Sequence, residues 1–256
     1  MPFHGPFPRY HFPARLQFEI IISMLLGKTR NFQDDAQVVL SSNETIKFSG
    51  RSFIPIRESF LLTLNHYSRP GFLIIWAAIA IAACLPQSSI WVMTRTWTNR
   101  GGGLDAIRTW LTSCLLLRLA DIYGFVTMPP MPPVPEEQTE RAIGIRKLMQ
   151  AIRDHPEAAL CLAPQGQDFP DGVLGAPPPG TGKLIILLSR HFEKILPVGV
   201  YEQDYRLVVN FGKPYRISEW VANEDPDERI SWCVMRQIAL CMPDGLNKLY
   251  SYSEKE

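Results

Sequence analysis

The stretch FLLTLNHYSRPGF, residues 60–72, decides the fold and raises the question of function. Its apolar run, bounded by turn residues, predicts a buried β-strand over 60–66. The run ends in Asn65-His66, so a titratable imidazole stands where the strand leaves the core. The residue five positions after the histidine is a glycine, Gly71, and not an acid.

Downstream of this strand, short apolar runs alternate with longer runs of helical length. The predicted strands after the first are 89–95, 122–128, 158–164, 195–202 and 206–214. The predicted helices are 71–85, 104–119, 136–157, 183–194 and 228–243. This alternation predicts a single α/β domain, built as a mixed, mostly parallel sheet flanked by helices.

The first fifty residues read differently from the rest of the chain. We expect residues 1–50 to form a loosely structured lead with one amphipathic or apolar segment near 17–27, and residues 51–256 to form the α/β domain. The lead has no basic region followed by an apolar one, so no signal peptide is predicted. Its aromatic and apolar residues make it a candidate for peripheral membrane contact. The apolar run 72–85 is too short to span a bilayer, and we expect a core or interfacial helix there.

Charge and cysteine content narrow the class of protein. The chain of 256 residues has a formal net charge of +1, which gives no electrostatic footprint for nucleic acid. Its five cysteines are scattered, with no paired spacing typical of a zinc site or a disulfide framework. Reduced core thiols and a cytoplasmic location are therefore expected, with attachment to the cytoplasmic face of a membrane as an open alternative.

Two polar segments follow predicted strands. One is Asn65-His66, and the other is Pro164-Gln165-Gly166-Gln167. In sheets of this kind, ligands bind at the carboxyl ends of the strands. We therefore expect both segments to belong to one site.

The order of four sequence blocks resembles the glycerolipid acyltransferases, the family that includes lysophosphatidic acid acyltransferase. NHYSRPG resembles the family's N-H-x-S-x-x-D, and IYGFVTM followed by Pro129 resembles its second block. LCLAPQGQ resembles F-P-E-G-T-R, and LPVGV resembles V-P-V-x-x. RLVVNFGKPYRI and VMRQIALCMPDGLNKLY are similar to later parts of the family, so the resemblance covers roughly residues 55–250.

The resemblance implies an acyltransferase-like fold and transfer of a fatty acyl group from an acyl thioester to a hydroxyl. The donor would be acyl-CoA or acyl-carrier protein, and the acceptor a lysophospholipid, glycerol phosphate or related lipid. Neither a cofactor nor a metal is implied. His66 would be the general base, a role that suits an imidazole near neutral pH. The residues implied in substrate binding are Asn65, Ser68, Arg69, Pro164, Gln165, Gly166 and Gln167.

The chain departs from the family pattern where charge matters most. Gly71 replaces the aspartate that orients the histidine, and Gln165 replaces a glutamate. Gln167-Asp168 stands in place of Thr-Arg, and no arginine follows Met128. Three interpretations stay open. In the first, the acid comes from elsewhere in the chain, with Asp168 and Asp171 as candidates. In the second, the acceptor is a compound other than a glycerol phosphate. In the third, the protein is a catalytically silent lipid-binding or scaffold relative.

Ordinary structural roles compete with the functional ones. His66 can be a hydrogen-bonded histidine at a strand end, Arg69 can be solvated, and the glutamines can simply close a turn. A second motif, PPPGTGKL at 177–184, is similar to a phosphate-binding loop. It lacks the first glycine, since Pro177 stands there, and Leu184 removes the hydroxyl that would meet Mg²⁺.

Overall fold

A seven-stranded sheet forms the centre of the molecule. The computed structural model describes residues 7–96, 103–131, 134–169, 172–219 and 226–251. The strands lie in the order β1-β7-β6-β2-β5-β3-β4. Their bounds are Ile46–Ser49 for β1, Leu61–Leu64 for β2, Ser89–Thr94 for β3, Val126–Met128 for β4, Ala159–Leu162 for β5, Ile195–Gln203 for β6 and Arg206–Phe211 for β7. Among these described strands, all neighbours pair parallel except β6 and β7, which are antiparallel.

The middle of the sheet is β2, the strand predicted from residues 60–66. It pairs with β5 on one side, with Leu62 opposite Cys161, and with β6 on the other, with Leu62 opposite Leu196. Its residues are almost wholly buried, and Leu64, at its end, is only 3% exposed. A strand covered on both faces reads as a continuous apolar run, which explains why the sequence pattern identifies it.

Helices connect and cover the strands. They are α1 (Ala14–Leu26), α2 (Phe32–Ser41), α3 (Ile75–Ala82), α4 (Gly103–Tyr123), α5 (Gln138–Asp154), α6 (Thr181–Leu188), α7 (Pro226–Ala239) and α8 (Lys248–Ser251). Helices α3 to α6 each link two strands of the sheet, as crossover connections between parallel strands require. The predicted α/β class, with a mixed and mostly parallel sheet, is therefore confirmed.

Several predicted boundaries were wrong. The strand predicted at 122–128 is limited to β4, because α4 continues to Tyr123 and ends at Gly124, whose φ of 68° breaks the helix. The helix predicted at 183–194 begins at Thr181 and ends at Leu188. The helix predicted at 71–85 is the shorter α3, because residues 71–74 form a turn before it.

Residues 7–50 contain more regular structure than the sequence suggested. Helix α2 begins after Asn31, whose side chain accepts hydrogen bonds from the backbone N–H groups of Gln33 and Asp34. This is a standard N-cap, and it is the signal that the sequence interpretation missed. Strand β1 forms an edge of the sheet beside β7. The boundary at residue 50 stays a prediction.

No helix among the described residues is both long and apolar enough to cross a membrane. The apolar α3 packs into the core instead, with Ala77 and Ile81 fully buried. All five cysteines are free thiols. Cys114 is exposed on α4, so the expectation of a core position was wrong for this residue.

Glycine 182 tests the contact between α6 and α7. A Cβ added at Gly182 would lie 2.1 Å from the backbone oxygen of Asp227, whereas one added at Gly245 meets nothing within 4 Å. In a solvent-exposed helix, Gly→Ala stabilises by about 1 kcal/mol. Here Gly182→Ala should instead destabilise by about 1–3 kcal/mol, because the two helices must move apart.

The measurement is urea unfolding of Gly182→Ala beside the control Gly245→Ala. The control should stay within about 0.5 kcal/mol of the wild type. Equal or higher stability of Gly182→Ala would show that α6 and α7 are not packed this closely.

Candidate functional site at the carboxyl edge of the sheet

The two predicted polar segments meet at one edge of the sheet. Strands β2 and β5 are adjacent and parallel, so the residues that follow them emerge side by side. His66 follows β2 by two positions, and the turn Pro164–Gln167 follows β5. The backbone N–H of His66 donates to Gln165 Oε1 at 2.9 Å, which joins the two segments directly.

His66 faces a carboxylate from the second segment. Its Nδ1 lies 2.8 Å from Asp168 Oδ1. The oxygen is at ion-pair distance but off the N–H direction, since Nδ1 makes no aligned hydrogen bond within the described part of the chain. The His66 side chain is 21% exposed and that of Asp168 is 70% exposed, so the pair stands at the surface of the edge.

Contact with the imidazole lowers the pKa of the Asp168 carboxyl below its ordinary value. Partial burial opposes this shift, and the hydroxyl of Ser68 adds a smaller lowering effect. Asp168 is therefore ionised at neutral pH and can orient the ring of His66. Asp171, the other acid considered from the sequence, lies outside the described residues.

Gln165 lies behind the histidine. Its side chain is fully buried, and its Oε1 accepts the hydrogen bond from the backbone of His66. Its Nε2 is buried and has no hydrogen-bond partner among the described residues. Gln165 therefore supports the backbone of His66 from the interior.

The turn around Gln165 is shaped by its neighbours. Pro164 is buried and Gln167 is half-buried. Gly166 is exposed with a φ of 64°, and its N–H donates to the carbonyl of Ala163 at 3.1 Å. This left-handed turn directs the chain back toward His66 and brings Asp168 to it.

Asn65 is engaged with the neighbouring strand. It is 1% exposed, its Nδ2 donates to the carbonyl of Val200 at 2.8 Å, and its Oδ1 accepts from the N–H of Val200 at 2.6 Å. Both amide groups are therefore used to attach the end of β2 to β6. The substrate-binding role predicted for Asn65 stays untested.

Arg69 is paired with a glutamate that the sequence interpretation missed. Its Nη2 donates to Glu202 Oε1 at 2.7 Å, and its Nε donates to Glu202 Oε2. Tyr10 and Tyr67 also donate their hydroxyls to Glu202, which is only 5% exposed. Hydrogen bonding to Glu202 raises the pKa of Arg69. In the sequence, Glu202 stands out only as an acid at the end of the apolar run ILPVGVYE.

Gly71 occupies the position where the acyltransferase pattern has its acid. Its φ is 79°, a conformation that disfavours residues with a side chain. A Cβ at this position would lie 3.6 Å from Nη1 of Arg69. A carboxylate introduced here would therefore begin beside the guanidinium of Arg69.

The glycine-rich motif at 177–184 has a structural role. The backbone N–H groups of Gly180 and Lys183, at the start of α6, donate to the two carboxylate oxygens of Asp227 at 2.7 and 2.9 Å. A carboxylate of the chain thus occupies the anion-binding end of this helix.

A shallow cleft of about 500 Å³ lies at the opposite edge of the sheet, where β6 begins and β7 ends. Lys194, Lys213, Tyr215 and Arg216 line it. It is separated from His66 by the length of β2, so it forms no part of the site described above.

Among solved structures the comparisons find distant likenesses. No protein-family model and no curated protein matches the chain. The crystal structure of the 1-acyl-sn-glycerophosphate (LPA) acyltransferase PlsC from Thermotoga maritima is similar over 93% of this chain and 90% of that chain, with 14% identity and a TM-score of 0.48. A similarity this distant carries no functional inference.

Replacing Gly71 by aspartate should not give His66 a second acid. We expect Gly71→Asp to lower the free energy of unfolding by about 1 kcal/mol, because of the left-handed backbone, and its carboxylate to pair with Arg69. A crystal structure and urea unfolding check both points. Gly71→Ala is the control for backbone strain alone. A carboxylate oxygen of the variant within hydrogen-bond distance of the His66 ring would contradict the expectation.

Proposed function

We propose that this protein is an acyltransferase that moves a fatty acyl group from an acyl thioester to the hydroxyl of a lipid acceptor. The observation that carries the proposal is the contact of His66 with Asp168 at the carboxyl edge of the sheet, 2.8 Å apart. A base, an orienting acid and a surface position are what deprotonation of an alcohol requires. The ordered sequence blocks around His66 and Gln165 support the same chemistry.

The proposed reaction begins with Asp168 at Nδ1 of His66. A carboxylate there favours the tautomer that carries its proton on Nδ1, so Nε2 is free to accept one. Nε2 takes the proton of the acceptor hydroxyl while the hydroxyl oxygen attacks the thioester carbonyl, which gives a tetrahedral adduct. The carbon–sulfur bond of the tetrahedral adduct then breaks, and the thiol leaves with the proton from the imidazolium. The co-substrate is acyl-CoA or acyl-carrier protein, and no metal is required.

The charges around His66 bear on the acceptor. Arg69 is neutralised by Glu202, and Asp168 adds a negative charge beside the base. Neither arrangement favours a free phosphate group next to the reacting hydroxyl. We therefore favour a lysophospholipid whose phosphate is esterified, or a related lipid, over an acceptor with a free phosphate such as glycerol phosphate.

Acyl transfer by purified protein tests the proposal. With a panel of lipid acceptors and acyl-CoA or acyl-carrier protein, His66→Ala should lower kcat/KM by about 10²–10⁴, because the general base is removed. Asp168→Asn should lower it by about tenfold or more, because the ring loses its orienting charge. His191→Ala, at an exposed histidine, is the matched control and should keep full activity.

Two outcomes would overturn the proposal. Equal rates for the wild type and His66→Ala would remove the imidazole from the reaction. Absence of transfer to every acceptor by the wild type, together with lipid binding, would instead identify a catalytically silent relative.

We also propose that the protein binds peripherally to the membrane that holds its acceptor. Helix α1 buries only Leu16 and Ser23, while Phe18, Ile21 and Leu25 are 64%, 49% and 76% exposed. Helix α4 packs against α1 and also exposes apolar side chains to solvent. Its outward residues include Ile107, Trp110, Leu111 and Leu115, each at least half exposed.

Because α1 and α4 are in contact, we infer that their exposed apolar residues form one surface, which we call the α1–α4 face. Their spacing of three and four residues puts each set on a single side of its helix. Apolar stripes of this kind, with a tryptophan among them, suit the boundary between lipid headgroups and acyl chains. A lipid acceptor also has to be reached in the bilayer, which makes a bilayer the occupant that fits the proposed reaction.

Vesicle binding tests this surface. Leu25→Glu combined with Trp110→Glu should weaken co-sedimentation with phosphatidylcholine–phosphatidylglycerol vesicles by about tenfold or more, because apolar burial is lost. Leu240→Glu is the control, since Leu240 is 69% exposed outside the α1–α4 face. Equal binding by all three proteins would contradict the proposal. So would dimerisation through this face, detected by sedimentation velocity.

A further inference from the structure

Glu202 is a buried carboxylate at the end of β6, and its surroundings satisfy it completely. Arg69 approaches with two donors, and the hydroxyls of Tyr10 and Tyr67 complete the shell. An isolated buried charge is costly, so a carboxylate that is 5% exposed needs such partners. The cluster contains one positive and one negative charge, and so adds no net charge to the site.

Two of the three residues that donate to Glu202 belong to the loop that begins with His66. Tyr67 follows His66 directly, and Arg69 is three residues after it. Both reach across to Glu202 on β6, while the backbone of His66 is held from the other side by Gln165. The course of this loop is therefore fixed by hydrogen bonds to both neighbouring strands.

Tyr67 also supports the loop that carries Asp168. A Cβ added at Gly172 would lie 2.4 Å from Cε2 of Tyr67, so the backbone at Gly172 rests directly on the ring. Gly172 has a φ of 68° and is four residues after Asp168. The ring of Tyr67, which belongs to the loop of the base, thus packs against the chain four residues beyond the acid.

The N-terminal segment, residues 7–12, covers this cluster. The ring of Tyr10 stacks on Trp76 with centroids 5.0 Å apart and meets the edge of Phe72 at 5.9 Å. The ring of Phe7 lies 4.1 Å from the guanidinium carbon of Arg69. The backbone N–H of His11 donates to Oδ1 of Asn43, and Nδ2 of Asn43 donates to the carbonyl of His11, each at 2.7 Å. The segment is therefore held in place before α1 begins.

We propose that Glu202 is a positioning residue for acyl transfer: with Tyr10, Tyr67 and Arg69 it holds the two loops so that Asp168 stays against His66. This inference rests on the proposed function, because it assigns a role in that reaction. It makes the N-terminal segment, residues 7–12, a part of the site's support. It also explains why Arg69 is unavailable to an anionic acceptor.

The experiment compares Tyr10→Phe, Tyr67→Phe and Glu202→Gln with a matched control. Phenylalanine keeps the ring packing and removes only the hydroxyl, so these two variants can test the cluster if Glu202→Gln fails to fold. Tyr123→Phe is the control, because Tyr123 donates to Asp35, which is paired with Arg30, in a cluster of the same chemistry. Tyr123 lies before β4, at the edge of the sheet opposite His66.

Two readouts separate positioning from stability. With a soluble acyl thioester and a detergent-solubilised acceptor, Tyr10→Phe and Tyr67→Phe should lower kcat about three- to tenfold and leave KM unchanged. The pKa of Asp168, followed by carboxyl ¹³C NMR, should rise toward 3.8 in both variants, because the carboxylate loses its contact with His66. Tyr123→Phe should lower the melting temperature comparably without changing either readout.

An unchanged Asp168 pKa in both tyrosine variants and in folded Glu202→Gln would overturn the inference. An equal loss of kcat in Tyr123→Phe would do so as well, because stability alone would then explain the effect. If the wild type transfers no acyl group, the proposed function fails, while the Asp168 pKa still decides whether the cluster positions this loop.

Discussion

The central position of β2 is the constraint on which the site depends. Strands on both sides pair with its backbone, and its side chains are almost without solvent contact. Because β2 is paired on both sides and buried, the chain can turn only after the strand ends. This fixes the positions of Asn65 and His66 at the carboxyl edge of the sheet. The parallel β5 ends beside it and delivers Gln165 to the same place. The meeting of the two loops thus follows from burial and from strand direction.

Polar groups at this edge are held by the sheet more than by solvent. Asn65 satisfies both backbone groups of Val200, and Glu202 collects four hydrogen bonds. Leaving any of these buried groups unpaired would cost about 1–3 kcal/mol, so the pattern favours one arrangement of the loops. Two groups at this edge are exceptions within the described residues: Nδ1 of His66, which has only its ion-pair contact with Asp168, and Nε2 of Gln165, which lacks a hydrogen-bond partner. A glutamate there would avoid the unpaired donor but would bring a charge into the buried turn.

Periodicity was enough to predict the sheet, because buried parallel strands and their crossover helices leave strong apolar patterns. Short elements escaped this reasoning. Strand β1 has only four residues at an edge, and the pattern of Ile122-Tyr123 is compatible with either a strand or the end of α4. For the candidate site, the sequence led to His66 as a proposed base and to Asp168 as one candidate acid. It could not identify Glu202, because the pairing with Arg69 joins residues 133 positions apart.

The source of the acid changes how such a site can be maintained. An acid five residues after the histidine would be held beside it by the local chain, whereas Asp168 belongs to a separate loop and is 70% exposed. Its position depends on tertiary contacts alone, since loop residues of this kind sample other conformations unless packing prevents it. Gly172 resting on Tyr67, and Tyr67 bonded to Glu202, supply that packing. A glycine at position 71 fits this arrangement. The left-handed turn there carries no carboxylate that could pair with Arg69 within its own loop, so Arg69 pairs with Glu202.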